Sequence, residues 1–273
     1  NMVNALLPNR GTVEETGRFV EEYILGNRIL EDDYFAGVVS VSFSAFDPFP
    51  PPDDQTDPNV GMRYYYVGLK KRIPNINQIS WGLKSSDDLH EDFVKSSKVC
   101  FALTGKRDRW LNAIRKLESD SNFAEMNLTQ LIDVYNNDLT PQKGNYSQTA
   151  FALVQRMSSG HAIVLLTITK LVETVEEKTL ILLDEPGSHL HPPLLSAFTR
   201  ALSDLLIDRN GIAIIATHSP VVLQEVPKSC VSVLRRTRLF GNVVRPERET
   251  FGENVGVLTR EVFGLEVVNS GFH

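Results

Sequence analysis

Residues 180–194 read LILLDEPGSHLHPPL, and the fold turns on how this stretch is understood. Four apolar residues run into Asp184 and Glu185, then Pro186 and Gly187, then two histidines, His189 and His191, on either side of Leu190. A short apolar run closed by turn residues fits a strand buried in a parallel sheet. In such sheets ligands gather at the carboxyl ends of the strands. Carboxylates set beside a hydrophobic run are costly when buried unless something charged sits with them. The stretch therefore predicts a strand over 179–183 whose end delivers two acids to a charged ligand.

Working outward, the pattern alternates. A helical period covers 161–173, the strand follows, a helix opened by Pro192-Pro193 covers 193–207, and a second apolar strand covers 212–217. Alternation of this kind predicts an α/β fold with a mainly parallel sheet covered by helices. Further upstream, AGVVSVSFSAFD places Val39, Val41, Phe43 and Ala45 alternately with small polar residues, a buried strand ending at Asp47-Pro48. The Pro- and Asp-rich run PFPPPDDQTDPNVG is a loop. Helical spacing of Trp110, Leu111, Ile114 and Leu117 marks residues 89–139 as a helical insertion. The expected organisation is an N-terminal part of the core over 1–48, loop and helical insertion over 49–145, and the remainder of the core over 146–273.

Composition narrows the class. The chain has 273 residues, 42% of them hydrophobic and 23% charged, with a formal charge of -6. That balance argues against a surface wholly devoted to nucleic acid. Cys100 and Cys230 show no zinc-ligand spacing. No apolar run approaches the roughly 18–20 residues of a membrane span, so the expectation is a soluble, cytoplasmic protein.

Three segments carry chemistry. Asp184 is placed to hold Mg²⁺ through water and Glu185 to polarise an attacking water, two requirements of phosphoryl transfer. In MSSGHAIVLL, Ser158, Ser159 and Gly160 put hydroxyls and free N–H groups at a helix N-terminus, an anion site. In IIATHSP, His218 follows the second strand and can donate to a phosphate oxygen. Taken singly, each has a plainer reading: a helix-capping acid pair, a serine N-cap, a structural histidine. A metal-dependent hydrolase built on Asp184, His189, His191 and His218 is a rival, weakened because a helix begins directly after His191.

Together and in this order, SSGH, LILLDEP and ATHSP resemble the signature motif, Walker B strand and switch histidine of ABC-type ATPases. DEPGSHLHP is similar to the form found in the RecF, OLD and related ABC-type ATPases, not in membrane transporters. The resemblance implies an ABC-type head that uses ATP and Mg²⁺, with Asp184 in the magnesium shell and Glu185 as catalytic base. His218 would sense the γ-phosphate, and Ser158, Ser159 and Gly160 would bind the γ-phosphate held by an opposite protomer in a head-to-tail homo-oligomer. Ser188, His189 and His191 would form the D-loop.

The chain departs from the family in two places. No G-x-x-x-x-G-K-[ST] is present; the expectation is that this loop precedes Asn1, residues 1–9 forming the helix after it. The Q-loop glutamine has no clear counterpart, Asp47 being the positional candidate and Gln78 a weaker one. VVSVSFSAFDPF and the C-terminal tail are similar to PtuA, the ATPase family of Septu-type and retron-associated antiphage systems. That similarity implies a separately made HNH nuclease partner. Alternatives are a RecF- or OLD-like DNA-processing ATPase and a scaffold in which nucleotide only fastens protomers. The basic clusters read first as solvated surface; if one contacts nucleic acid, it is Lys106, Arg107 and Arg109 beside Trp110.

Overall fold

The computed structural model describes residues 19–23, 26–31, 34–44, 50–73, 80–138, 145–187, 190–237 and 240–264. At its centre lie four parallel strands: β3 (Gly37–Ser42), β4 (Arg63–Gly68), β7 (Thr179–Asp184) and β8 (Ile212–Ala216), in the order β4-β3-β7-β8. The hairpin of β1 (Val20–Tyr23) and β2 (Gly26–Ile29) precedes this sheet, and that of β5 (Lys70–Ile73) and β6 (Ser80–Leu83) follows β4. A third hairpin, β9 (Val233–Thr237) with β10 (Phe240–Val244), comes after it.

The inner strands β3 and β7 are buried on both faces, which is why they read as near-continuous apolar runs. On one face Val39, Val41, Val67, Ile181 and Leu183 enter the main core. On the other, Val38, Tyr64 and Leu180 pack with Phe35. Strand β8, at the sheet's edge, is less covered.

The helices are α1 (Ser86–Ala102), α2 (Thr104–Leu117), α3 (Ser121–Glu125), α4 (Gln130–Asp138) and α5 (Asn145–Gln155). They continue with α6 (Ser159–Thr174), α7 (Pro192–Arg209), α8 (Pro220–Gln224) and α9 (Val255–Glu261). Helix α6 is the hub, apolar nearly all round and buried accordingly. Its Thr169 takes a hydrogen bond from the Trp110 indole at 2.9 Å through its hydroxyl and one from Cys100 Sγ at 3.5 Å through its carbonyl. Helices α1, α2, α4, α5, α6 and α7 share one core with the sheet, so the helical insertion is built into that core and not appended to it.

The parallel α/β expectation holds. The helices and strands foreseen around residue 184 sit within two residues of their predicted bounds, with the strand predicted to Thr217 ending at Ala216. What the sequence reading missed is β4: RYYYVG lies in the stretch read as loop and insertion, yet it pairs along all of β3. A run of aromatics among polar residues carries little strand periodicity alone; it becomes a strand by lying against β3. Asp47, Gln78, Ser188, His189, the helix over 1–9, Ala45 at the end of the first predicted strand, and the tail beyond 264 lie outside the described residues. Among those described, no helix is long and apolar enough to cross a membrane.

Candidate functional site

Parallel pairing in register brings Ser42, Asp184 and Ala216 level at the carboxyl edge of the sheet. Chain continuation past that edge then places Glu185 beside His218. Glu185 leaves β7 in the left-handed region, φ 45°, rare for a residue with a Cβ. Its N–H still bonds to Ala216 O at 2.9 Å, so the ladder runs one residue past the strand while the side chain swings over the β8 terminus. There Glu185 Oε1 meets His218 Nδ1, and the His218 backbone N–H reaches Oε2 at 3.4 Å. The His218 side chain is otherwise open to solvent, 89% exposed, with Nε2 available to a ligand.

Asp184 is exposed and Glu185 half-buried. The expectation of acids sunk in an apolar environment is thus corrected: the strand end carries them out to solvent, and no buried counter-charge is needed to tolerate them. Ser42, register partner of Asp184 on the same sheet face, has a buried hydroxyl without a hydrogen-bond partner. The exposed Asp184 carboxylate is an oxygen donor of the kind that suits a hydrated Mg²⁺, with the buried Ser42 hydroxyl behind it. The edge thus gathers two carboxylates, a hydroxyl and an imidazole.

Ser158 is the N-cap of α6; its hydroxyl accepts from the His161 N–H at 3.4 Å and lies 2.6 Å from His161 Nδ1. Ser158 and Ser159 are exposed and Gly160 is buried. Only the two serines of the turn face outward; Gly160, predicted to bind with them, is turned into the subunit.

His191 does not join Asp184 and His218, which removes the four-residue hydrolase arrangement. It is the N-cap residue of α7, but its side chain makes no cap bond. Instead Nε2 lies 3.3 Å from Asp120 Oδ2, while His161 Nε2 lies 3.1 Å from Asp120 Oδ1. Asp120 also accepts the Phe123 N–H at 3.0 Å as N-cap of α3. Burial opposes its ionisation, but that N–H and the two imidazoles outweigh burial and hold its carboxyl below the usual range. Sequence reasoning missed Asp120 and gave His161 no role. Only a capping pattern in DSNFAE marks Asp120 locally, and nothing in it points to distant histidines.

The basic cluster over 106–109 is partly engaged within the subunit. Trp110 is fully buried against Phe101 and cannot stack on a base. Lys106 pairs with Glu176 at 3.2 Å and Arg109 with Asp208 at 3.7 Å, fastening the α2 face to neighbouring elements. A cavity of about 420 Å³ bounded by Arg28, Phe35, Lys178 and Ile212 opens at the amino ends of the strands, the opposite edge from Asp184, and takes no part in this site.

The arrangement is that of an α/β protein whose parallel sheet carries two acids after one strand and a histidine after the next. Residues 65–224 match the AAA_21 family model, described as "AAA domain, putative AbiEii toxin, Type IV TA system". The match covers more than half of the chain, which belongs to this family of AAA-domain proteins. The chain is also similar to protein ea59 of Escherichia phage lambda, 54% identical over 261 residues. That alignment takes in 90% of this chain and 49% of ea59, so the chain spans about half the length of this relative.

Proposed function

We propose that the chain is an ATP-hydrolysing module whose active site is completed by a second copy. The observation that carries this reading is the contact of Glu185 with His218 at the strand edge beside Asp184. When bound, Mg²⁺ would supply charge neutralisation at the phosphates. Asp184 holds that cation through its water shell, and Glu185 takes the proton of the attacking water. His218, steadied on Glu185 through Nδ1, presents Nε2 to the γ-phosphate as charge develops there. The outward-facing Ser159 and the N–H groups of the α6 N-terminus serve the nucleotide of the opposite protomer.

The finer reading is an ATPase subunit that regulates a separately made HNH nuclease in an antiphage system, ATP-dependent head-to-tail assembly being the regulated step. Support for it comes from the likeness of VVSVSFSAFDPF to the PtuA family and from the toxin description of the matched family.

A mixing experiment tests the composite site. Ser159→Arg blocks the facing turn and Glu185→Gln removes the base, so each chain alone should lose turnover while Glu185→Gln still binds Mg-ATP. Mixed one to one with free exchange, half the dimers are hybrids with one intact site each, so about a quarter of wild-type activity should return. No recovery despite demonstrated exchange would refute the composite site; full turnover by Glu185→Gln alone would refute its role as base.

A further inference from the structure

We propose that Asp120, His161 and His191 form a binding site for a divalent transition metal of the zinc class, separate from the nucleotide edge. Three segments far apart in sequence converge here: the turn entering α3, the first turn of α6 and the residue before α7. Their ligand atoms all lie within 4.8 Å of one another.

The two carboxylate–imidazole spacings are compatible with a shared metal ion. Ligands about 2.0–2.1 Å from a tetrahedral ion lie about 3.3 Å from each other. Asp120 Oδ1 is 3.1 Å from His161 Nε2, and Oδ2 is 3.3 Å from His191 Nε2. His161 has the supporting contact that ligating histidines use: its Nδ1 lies 2.6 Å from Ser158 Oγ. The same contact orients the His161 ring so that Nε2 faces the Asp120 carboxylate, the position from which it would ligate an ion. Asp120 is likewise steadied, by the Phe123 N–H.

Burial completes the description. Asp120 and His161 are buried, whereas the His191 side chain is 43% exposed. Solvent therefore reaches the cluster from one side, as a three-ligand site with water in the fourth position requires. The consequence is mechanical. A bound ion would tie the Ser158–Gly160 turn to the residue preceding α7 and to the helical part of the core, locking together the two segments proposed to face another protomer.

The test uses the full chain, stripped with a chelator and titrated with Zn²⁺ alone by calorimetry, without nucleotide. Wild type should bind one ion per chain. His191→Ala, at a half-exposed position that leaves the core intact, and Asp120→Asn should each weaken binding by at least about tenfold, and Ser158→Ala by about tenfold through the supporting contact. His218→Ala should leave it unchanged. Cobalt(II) should give the visible absorption of a tetrahedral nitrogen–oxygen site in wild type and lose it in His191→Ala. Circular dichroism confirms that each variant is folded. Absence of stoichiometric binding by wild type, or binding that survives His191→Ala and Asp120→Asn, would overturn the proposal and leave a hydrogen-bonded triad.

Discussion

Glu185 and His218 touch side chain to side chain across the ends of β7 and β8, although 33 positions separate them in the chain. The parallel register, with Asp184 opposite Ala216, brings the two chain continuations side by side. In the proposed function the acid of this pair is the base and the imidazole reaches the phosphate.

His218→Ala should lower ATP turnover by about 10²–10³-fold while nucleotide affinity changes much less, because the contact matters most as charge builds on the γ-phosphate. Steady-state hydrolysis and equilibrium binding of a nucleotide analogue separate the two effects. Parallel losses in both would make His218 a binding or structural residue instead.

Strain at Glu185 predicts a trade between stability and activity. A residue with a Cβ in the left-handed region costs about 1 kcal/mol relative to glycine. Both Glu185→Gly and Glu185→Ala lose the contact with His218, so they differ chiefly in backbone preference. Urea unfolding should find the glycine variant more stable than the alanine variant by about 1 kcal/mol, with neither hydrolysing ATP. Equal stabilities would mean that the turn relaxes.

Trp110 should be a stability residue with no direct part in binding. It is fully buried and its indole N–H donates to Thr169 at 2.9 Å. Trp110→Ala should cost about 3–5 kcal/mol. Trp110→Phe keeps most of the apolar contact and leaves the Thr169 hydroxyl without its donor, costing about 1–3 kcal/mol. Denaturation midpoints measure both, and a surface role would show as a loss of ligand binding with unchanged stability.

The two cysteines should react differently. Burial first, with nearby Glu173 adding to it, pushes the Cys100 thiol up to about 12, whereas Cys230 is exposed. Only about one Cys100 in ten thousand would be thiolate at pH 8. Iodoacetamide should label Cys230 alone in the folded protein and both after unfolding, as mass spectrometry of the peptides would show. Labelling of Cys100 at a comparable rate under native conditions would contradict its place under α6.

The sequence by itself determined the local elements around the acids. LILLDEP and IIATHSP read as strands ending in polar groups, because each is a short apolar run closed by turn residues, and SSGH opens a helix because Ser158 caps it. Only the tertiary structure decided what each element meets. RYYYVG becomes a sheet strand because β3 offers it an edge, and the acids emerge into solvent because the strand end projects from the layer covering it. Trp110 sits in the core, away from the basic surface its neighbours in sequence suggested. His191 turns from the nucleotide edge to Asp120, which arrives from the far end of α2. These pairings join residues far apart in the chain, and they follow from which faces bury each other, a relation that local periodicity does not encode.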